Sequence, residues 1–370
     1  MTFAVTLAGY ITRQFLLAVL AVLAALSLLV ALFDFIELLR RSVTKPDATF
    51  AIVVKIAALR LPFIAIEILP FAVLLGGIVA FWRLTRSSEL IVARAAGVSA
   101  WQFLLAPMGT ALCLGAIATL GGSPLSSTLL SRAEVLDNAY LRTGGGPMAL
   151  TGGQLWLRQL DRGLEPNGVA IMHALGVKLN GKALTTSEVS VFRLGSNDRL
   201  LERIEAREAR LSRGEWTLAD ARTITPDHLP ESPRRLTLPT DLTVARVQES
   251  FASPDTLSVW ALPGFIALLD RSGFSSIRHR LHFQTLLALP LLCGTMSLVA
   301  AGFSMRPARR GGVTQMIGSG VAAGFVLFLV SKIAEEFGNS GALPVAMAAW
   351  VPAASGLMLA ITLLLHLEDG

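Results

Sequence analysis

Cysteine is almost missing from this chain of 370 residues: there are two, Cys113 and Cys293, and both sit inside long apolar stretches. Small thiols in such places pack as hydrophobes. No disulfide framework is therefore available, and any water-exposed part must hold its core without one. Histidine is scarce and scattered (His173, His228, His279, His282, His366), which argues against the clustered ligands of a metal site. No Gly-x-x-x-x-Gly-Lys-Ser/Thr string occurs, so the chain brings no nucleotide-binding loop of its own. No Gly-x-Ser-x-Gly elbow offers a hydrolase nucleophile. Charge is sparse as well, at 16% of residues against 53% hydrophobic, and mean hydropathy is +0.61. That balance is too apolar for a soluble chain of this length. Neither cofactor nor metal is expected.

What the chain has instead is long apolar runs: Phe15–Phe33, Leu61–Trp82, Trp101–Leu120, Phe283–Phe303, Val313–Ser331 and Ala342–Leu365. A bilayer core needs ~20 apolar residues of helix, at ~1.5 Å rise each across ~30 Å. Each run meets that length within a residue or two. The sequence therefore predicts an α-helical polytopic membrane protein with six transmembrane helices, three before and three after a polar block, Ser123–His282. Basic residues flank one side of the spans: Arg13, then Arg83, Arg86 and Arg94, then Arg306, Arg309 and Arg310. By the positive-inside rule these segments are cytoplasmic, both termini face the cytoplasm, and the polar block is exported. The first run is longer than a signal-peptide core and lacks a small-x-small cleavage site, so it reads as a retained anchor.

The exported block is nearly balanced in charge and shows no concentrated basic face, so nucleic acid is not an expected partner. It opens with an amphipathic stretch, Leu129–Leu141. From Gln154 to about Val244, short alternating segments follow, such as Leu155 and Leu157 around Trp156, or Trp216 and Leu218 around Thr217. Turn formers separate them at Pro166–Gly168, Asn180–Gly181, Gly195–Asp198 and Arg213–Gly214. Strands at this spacing predict an antiparallel sandwich or jelly roll. Ser258–Asp270 then reads as an amphipathic helix.

Between the second and third runs, Ser87 or Ser88 can cap a short helix, with Glu89 in its first turn at the positive end of the dipole. Leu90, Ala93 and Gly97 recur at helical spacing, and Gly97 suits a C-cap. Such a loop either merely reconnects two spans or presents a contact to a separate ATPase, to which Glu89 and Arg94 would suit. Glu67 lies inside the second run; it either serves function, as buried membrane charges tend to, or lies near an interface or pairs with a neighbouring helix. Lys332, Glu335 and Glu336 end the fifth run, where snorkelling to an interface is cheap. Arg40 and Arg41 end the first helix as either a solvated terminus or a phosphate-binding fork. Gly76, Gly77, Gly318, Gly320 and Gly324 predict close helix packing.

The string Ser88-Glu-Leu-Ile-Val-Ala-Arg-Ala-Ala-Gly-Val-Ser99 resembles the coupling-helix motif of the LptF/LptG family of lipopolysaccharide export permeases. Arg40-Arg41, Ala301–Arg306 and Arg309–Gly312 add weaker matches. The resemblance covers the whole chain, and Pro254–Trp260 and the ending His366–Gly370 look more like the LptG branch. It implies transmembrane helices 1–3 over residues 1–122 with a coupling helix at 84–98. It further implies a periplasmic region at 123–282 holding a β-jellyroll-like domain at about 145–250, then helices 4–6 over 283–370. The implied partners are an LptB-type ATPase dimer, an LptF-type paralogous permease, an LptC-type periplasmic bridge protein and lipopolysaccharide in the inner membrane. Ser88, Glu89, Leu90, Arg94, Ala95 and Gly97 would couple to the ATPase, and Phe35, Arg40, Arg41 and Lys332 would meet lipopolysaccharide. Some relatives of the LptG branch carry a basic residue where this chain has Asp34, which favours Arg40 and Arg41 as the phosphate contacts. Two rivals are a mechanotransmission subunit that moves no substrate and a membrane hydrolase or transferase using Glu67 and Glu335. The usual one-then-three span layout of mechanotransmission proteins counts against the first.

Overall fold

The structure is a computed structural model that describes residues 2–43, 45, 48–87, 100–141, 149–151, 154–161, 168–180, 183–195, 199–212, 214–225, 232–240, 253–271, 275–304 and 313–368. The chain divides into two compact units. One comprises Met1–Leu141, Asp255–Leu262 and Ile277–Gly370; the other comprises Arg142–Pro254 and Pro263–Ser276.

The first unit is helical. Its helices are α1 (Thr2–Ser42), α2 (Phe50–Arg86), α3 (Ala100–Ile117) and α4 (Ser123–Tyr140). After the inserted second unit come α6 (Ile277–Ser304), α7 (Val313–Asn339) and α8 (Val345–Glu368). Five stretches among the described residues are long and apolar enough to cross a bilayer: Ala8–Ser42, Phe50–Arg86, Phe103–Tyr140, Ile277–Ser304 and Val345–Leu365. The remaining apolar run forms α7, a 27-residue helix whose last third carries Lys332, Glu335 and Glu336. The helices outlast the runs that predict them. α1 has 41 residues, so at ~1.5 Å per residue it is about twice the length a ~30 Å hydrocarbon slab requires. Backbone hydrogen bonding continues past the last apolar residue, so the helix takes in the charged residues that end the run.

Small residues let these helices approach closely, as lipid-embedded packing requires. A Cβ on Gly76 would stand 2.5 Å from the Val19 Cα of α1, and one on Gly77 would stand 2.8 Å from the Ala300 Cβ of α6. Gly320 and Gly324 of α7 meet Ile78 and Leu74 of α2 in the same way, whereas Gly318 faces open space. α2 thus sits between α1 and α7. On α6, Pro290 is met by Gly115 of α3, and Gly302 packs against Leu363 of α8. The core so formed includes Phe15, Val73, Phe81, Cys293 and Val299.

Between α3 and α4 the helix widens into a π turn, Ala118–Gly122. Such a turn loosens the helical ladder. The Leu120 carbonyl accepts from Trp260 Nε1 at 3.3 Å, and Thr119 Oγ1 donates to the Leu286 carbonyl at 2.8 Å. The predicted third span and the amphipathic stretch behind it are therefore one continuous helical rod.

The second unit is built on a seven-stranded antiparallel sheet in sequence order, a meander. Its strands are β1 (Ala149–Thr151), β2 (Gln154–Asp161), β3 (Gly168–Asn180), β4 (Ala183–Leu194), β5 (Leu200–Ser212), β6 (Glu215–Ile224) and β7 (Arg234–Pro239). Each strand pairs the next, without the Greek-key crossovers that define a jelly roll, among the described residues. Alternation sends Leu155, Leu157, Met172, Val191, Ile204 and Trp216 to one buried face. The amphipathic helix α5 (Leu262–Arg271) adds Leu269 and Phe265 to that core; it starts four residues later than the sequence suggests, because Ser258–Ala261 form a turn.

Candidate functional site

The long apolar helices carry unusual charges towards one end, and each is explained by what it touches. Arg40 and Arg41 lie in the last turn of α1, where the helix dipole favours cations. Both are held by one carboxylate: Glu37 accepts from Arg40 Nε at 2.9 Å and Nη2 at 3.0 Å, and from Arg41 Nε at 2.9 Å. Arg40 is the most open of the three, with 78% of its side chain exposed. The fork proposed for phosphate is thus already shared with an acid one turn away.

One turn deeper, α1 joins its neighbours through a charge triad. Arg60 Nη1 of α2 donates to Asp34 Oδ1 at 2.9 Å, and Nη2 reaches Asp137 Oδ2 of α4 at 3.4 Å. Asp137 is 1% exposed and Arg60 19%. Charges this deep are tolerated because they pair. Arg60 Nε and Asp34 Oδ2 have no hydrogen-bond partner among the described residues. Sequence reading missed this triad. Arg60 directly precedes the run that begins at Leu61, so it looks like a flanking charge; α2 in fact begins at Phe50 and places Arg60 inside the helix. A basic residue ten positions into a helix, facing an acid on the preceding one, was the available signal.

Lys332 of α7 completes the set. Its Nζ lies 3.2 Å from Glu67 Oε1 of α2 and 3.2 Å from Glu335 Oε2, and 5.9 Å above the Phe328 ring. Glu67 therefore pairs with a neighbouring helix, the second of the two readings open to it. Phe35 packs edge-on against Phe50 with ring centroids 5.9 Å apart. Ser88, Glu89, Leu90, Arg94, Ala95 and Gly97 lie outside the described residues, as does most of the 84–98 segment; Leu84–Arg86 continue α2.

Several helices, α8 among them, leave apolar faces uncovered, and two of these helices carry the charges just described. α1 is the least buried of the five spanning stretches, 17% against 72% for α6, and exposes Leu28, Leu32, Phe33 and Ile36. α7 exposes Phe325, Val326, Leu329 and Ile333. Apolar area of this extent, rimmed by charge, marks a lipid or partner surface. An amphiphile with acyl chains and an anionic head meets its two requirements on the same helices.

The comparisons with known proteins agree on one family. A family model described as lipopolysaccharide export system permease LptF/LptG matches residues 9–366. The chain is 26% identical to the lipopolysaccharide export system permease protein LptG of Haemophilus influenzae over 362 residues, 94% of each chain. It is 25% identical to LptG of Escherichia coli K12 over 309 residues, 80% of this chain and 81% of that one.

Proposed function

The chain belongs to the LptF/LptG family of lipopolysaccharide export system permeases, and from that premise we propose how its parts share the work. It extracts lipopolysaccharide from the inner membrane as one half of a chamber, the other half being an LptF-type paralogue. The uncovered faces of α1 and α7 line this half and shelter acyl chains. All six apolar runs span, α7 included, with both termini cytoplasmic and the β-domain periplasmic. The family match supports this reading because it runs through both units and includes the Ser88–Ser99 string.

Lifting acyl chains out of lipid costs ~0.8 kcal/mol per CH₂ exposed to water. Passive binding does not supply that for several chains, so an external motor is required. An LptB-type ATPase dimer takes that role, gripping the segment with Ser88, Glu89, Leu90, Arg94, Ala95 and Gly97. An LptC-type bridge protein receives the cargo. Arg40, Arg41, Phe35 and Lys332 meet the lipopolysaccharide head and inner sugars. Because Glu37 already occupies both arginines, the lipid phosphate has to displace a carboxylate, which makes release as accessible as capture.

The test is Glu89→Arg in cells. The expected result is loss of lipopolysaccharide delivery to the outer membrane together with loss of ATPase co-purification. Normal delivery with a full complement of ATPase would remove the coupling role.

A further inference from the structure

We propose that the outer face of the β-sheet carries a binding groove for a short oligosaccharide. The face is the one turned away from the domain's apolar core, and pairing across five strands sets a single transverse row on it. Trp156 is opposite His173, His173 opposite Ser190, Ser190 opposite Glu205, and Glu205 opposite Arg222. The neighbours of each along its strand are buried, so all five project to the same side. Four strand spacings give the row a length of ~19 Å.

Beside the row the sheet is creased. Gly176, Glu188 and Asp220 all have positive φ, at 57°, 49° and 51°, on three different strands. Two of these are carboxylate residues held in a conformation that glycine adopts freely and other residues adopt at a cost. An open concavity of about 680 Å³ lies over this crease, bordered by His173, Ser190, Glu205 and Arg222 of the row together with Glu188, Arg207 and Asp220. That volume is in the range of small-molecule sites.

Its chemistry selects among ligands. Three carboxylates face two guanidiniums, so the site is not an anion trap, and although Leu175, Val189, Ala206 and Pro233 also line it, five charged side chains make it a poor fit for an acyl chain. Among the described residues no group of three His, Cys, Asp or Glu is placed to hold a metal ion. Peptide strand addition needs a free sheet edge, whereas the groove crosses β3 to β6, which are paired on both sides. A sugar ring matches what is there. Its hydroxyls donate and accept at once, as a lining of carboxylates, guanidiniums and a serine requires. Its C–H face stacks on an aromatic platform, and Trp156, at the end of the row beyond the concavity, is 43% exposed with its ring 4.3 Å from that of His173 at the border. Glu205 is held in place by an ion pair with Arg203 on its own strand.

The sugar chain of a glycolipid and a free glycan share this chemistry, and two probes separate them. Full-length protein in detergent is titrated by calorimetry with oligosaccharide released from lipopolysaccharide by mild acid, and separately with an N-acetylglucosamine tetramer. Binding of either supports the groove. Binding of the first alone assigns it to the glycolipid sugar, and binding of the second alone to free glycan. Trp156→Ala is expected to weaken the interaction about tenfold, and Arg207→Ala, on the exposed crease, to weaken it without touching the core. Circular dichroism confirms that both variants fold. Absence of binding by both probes, or unchanged affinity in both variants, overturns the proposal.

Discussion

At the scale of single residues, the account turns on which charges are already engaged. The Arg60 triad is the most deeply placed. Removing its cation by Arg60→Ala leaves Asp137 buried against Asp34, and breaking a buried pair from one side costs ~3–5 kcal/mol. Thermal unfolding in detergent is expected to show that loss, while Arg40→Ala, on a side chain 78% exposed, leaves unfolding unchanged. Glu37→Gln acts differently: it frees both guanidiniums, and pull-down with lipopolysaccharide is expected to retain more lipid than wild type. Equal or reduced retention would show that Glu37 does not compete with phosphate. In the β-domain, Arg193 is gripped by Asp161, with Nη2 to Oδ1 at 3.0 Å, and by Glu202. Burial works against its charge, yet the hydrogen bonds it donates to these two acids win and raise its pKa above the ordinary arginine value. A group raised in the folded state gives its full stabilisation below the unfolded pKa and loses it only above that. Arg193→Leu should therefore destabilise by an amount that is flat across roughly pH 6 to 9; a difference that shrinks steadily in that window would contradict the pairing. Arg40 and Arg41 were legible in the sequence as a terminal pair, but their shared acid was not, since i, i+3 and i, i+4 contacts become visible only once the helix is known to continue past Glu37.

At the scale of elements, apolar length read the helices well and their ends poorly. The run Leu61–Trp82 names the middle of α2, but the helix starts at Phe50, because charge ends a hydropathy run while nothing ends the hydrogen-bond ladder. The sheet was legible for the opposite reason: strands end where the chain must turn. Gly195–Asp198 and Arg213–Gly214 each fall between consecutive strands, Asn180 is the last residue of β3, and Leu155, Leu157, Trp216 and Leu218 all reach the core. The creases were not legible, since a positive φ at Glu188 or Asp220 follows from pairing across strands rather than from local sequence. The glycines give a direct test of the packing. Gly76→Leu should unseat α1 from α2 and lower stability by at least the ~1–3 kcal/mol typical of overpacking, whereas Gly318→Leu, facing open space, should be tolerated. Equal effects at both sites in thermal unfolding would mean that the α1–α2 contact is not close.

At the scale of the whole molecule, the two units divide a single problem. A helical unit with uncovered apolar faces suits acyl chains, and a β-domain with an apolar core and a polar outer face suits what lies beyond the membrane. Membership in the lipopolysaccharide export permeases was legible from one string between the second and third runs, whose residue types resemble the family's motif where hydropathy alone says only that two spans are joined. The proposed cargo surface was less legible: hydropathy is high on both buried α6 and open α1, higher on the open one, and only packing shows which of them is covered. Site-specific photo-crosslinking tests that surface most directly. A photoreactive residue at Leu32 of α1, in the complex assembled with its ATPase and partner permease, is expected to capture lipopolysaccharide before ATP is added and to lose it during turnover. Capture of phospholipid alone, unchanged by ATP, would contradict the account.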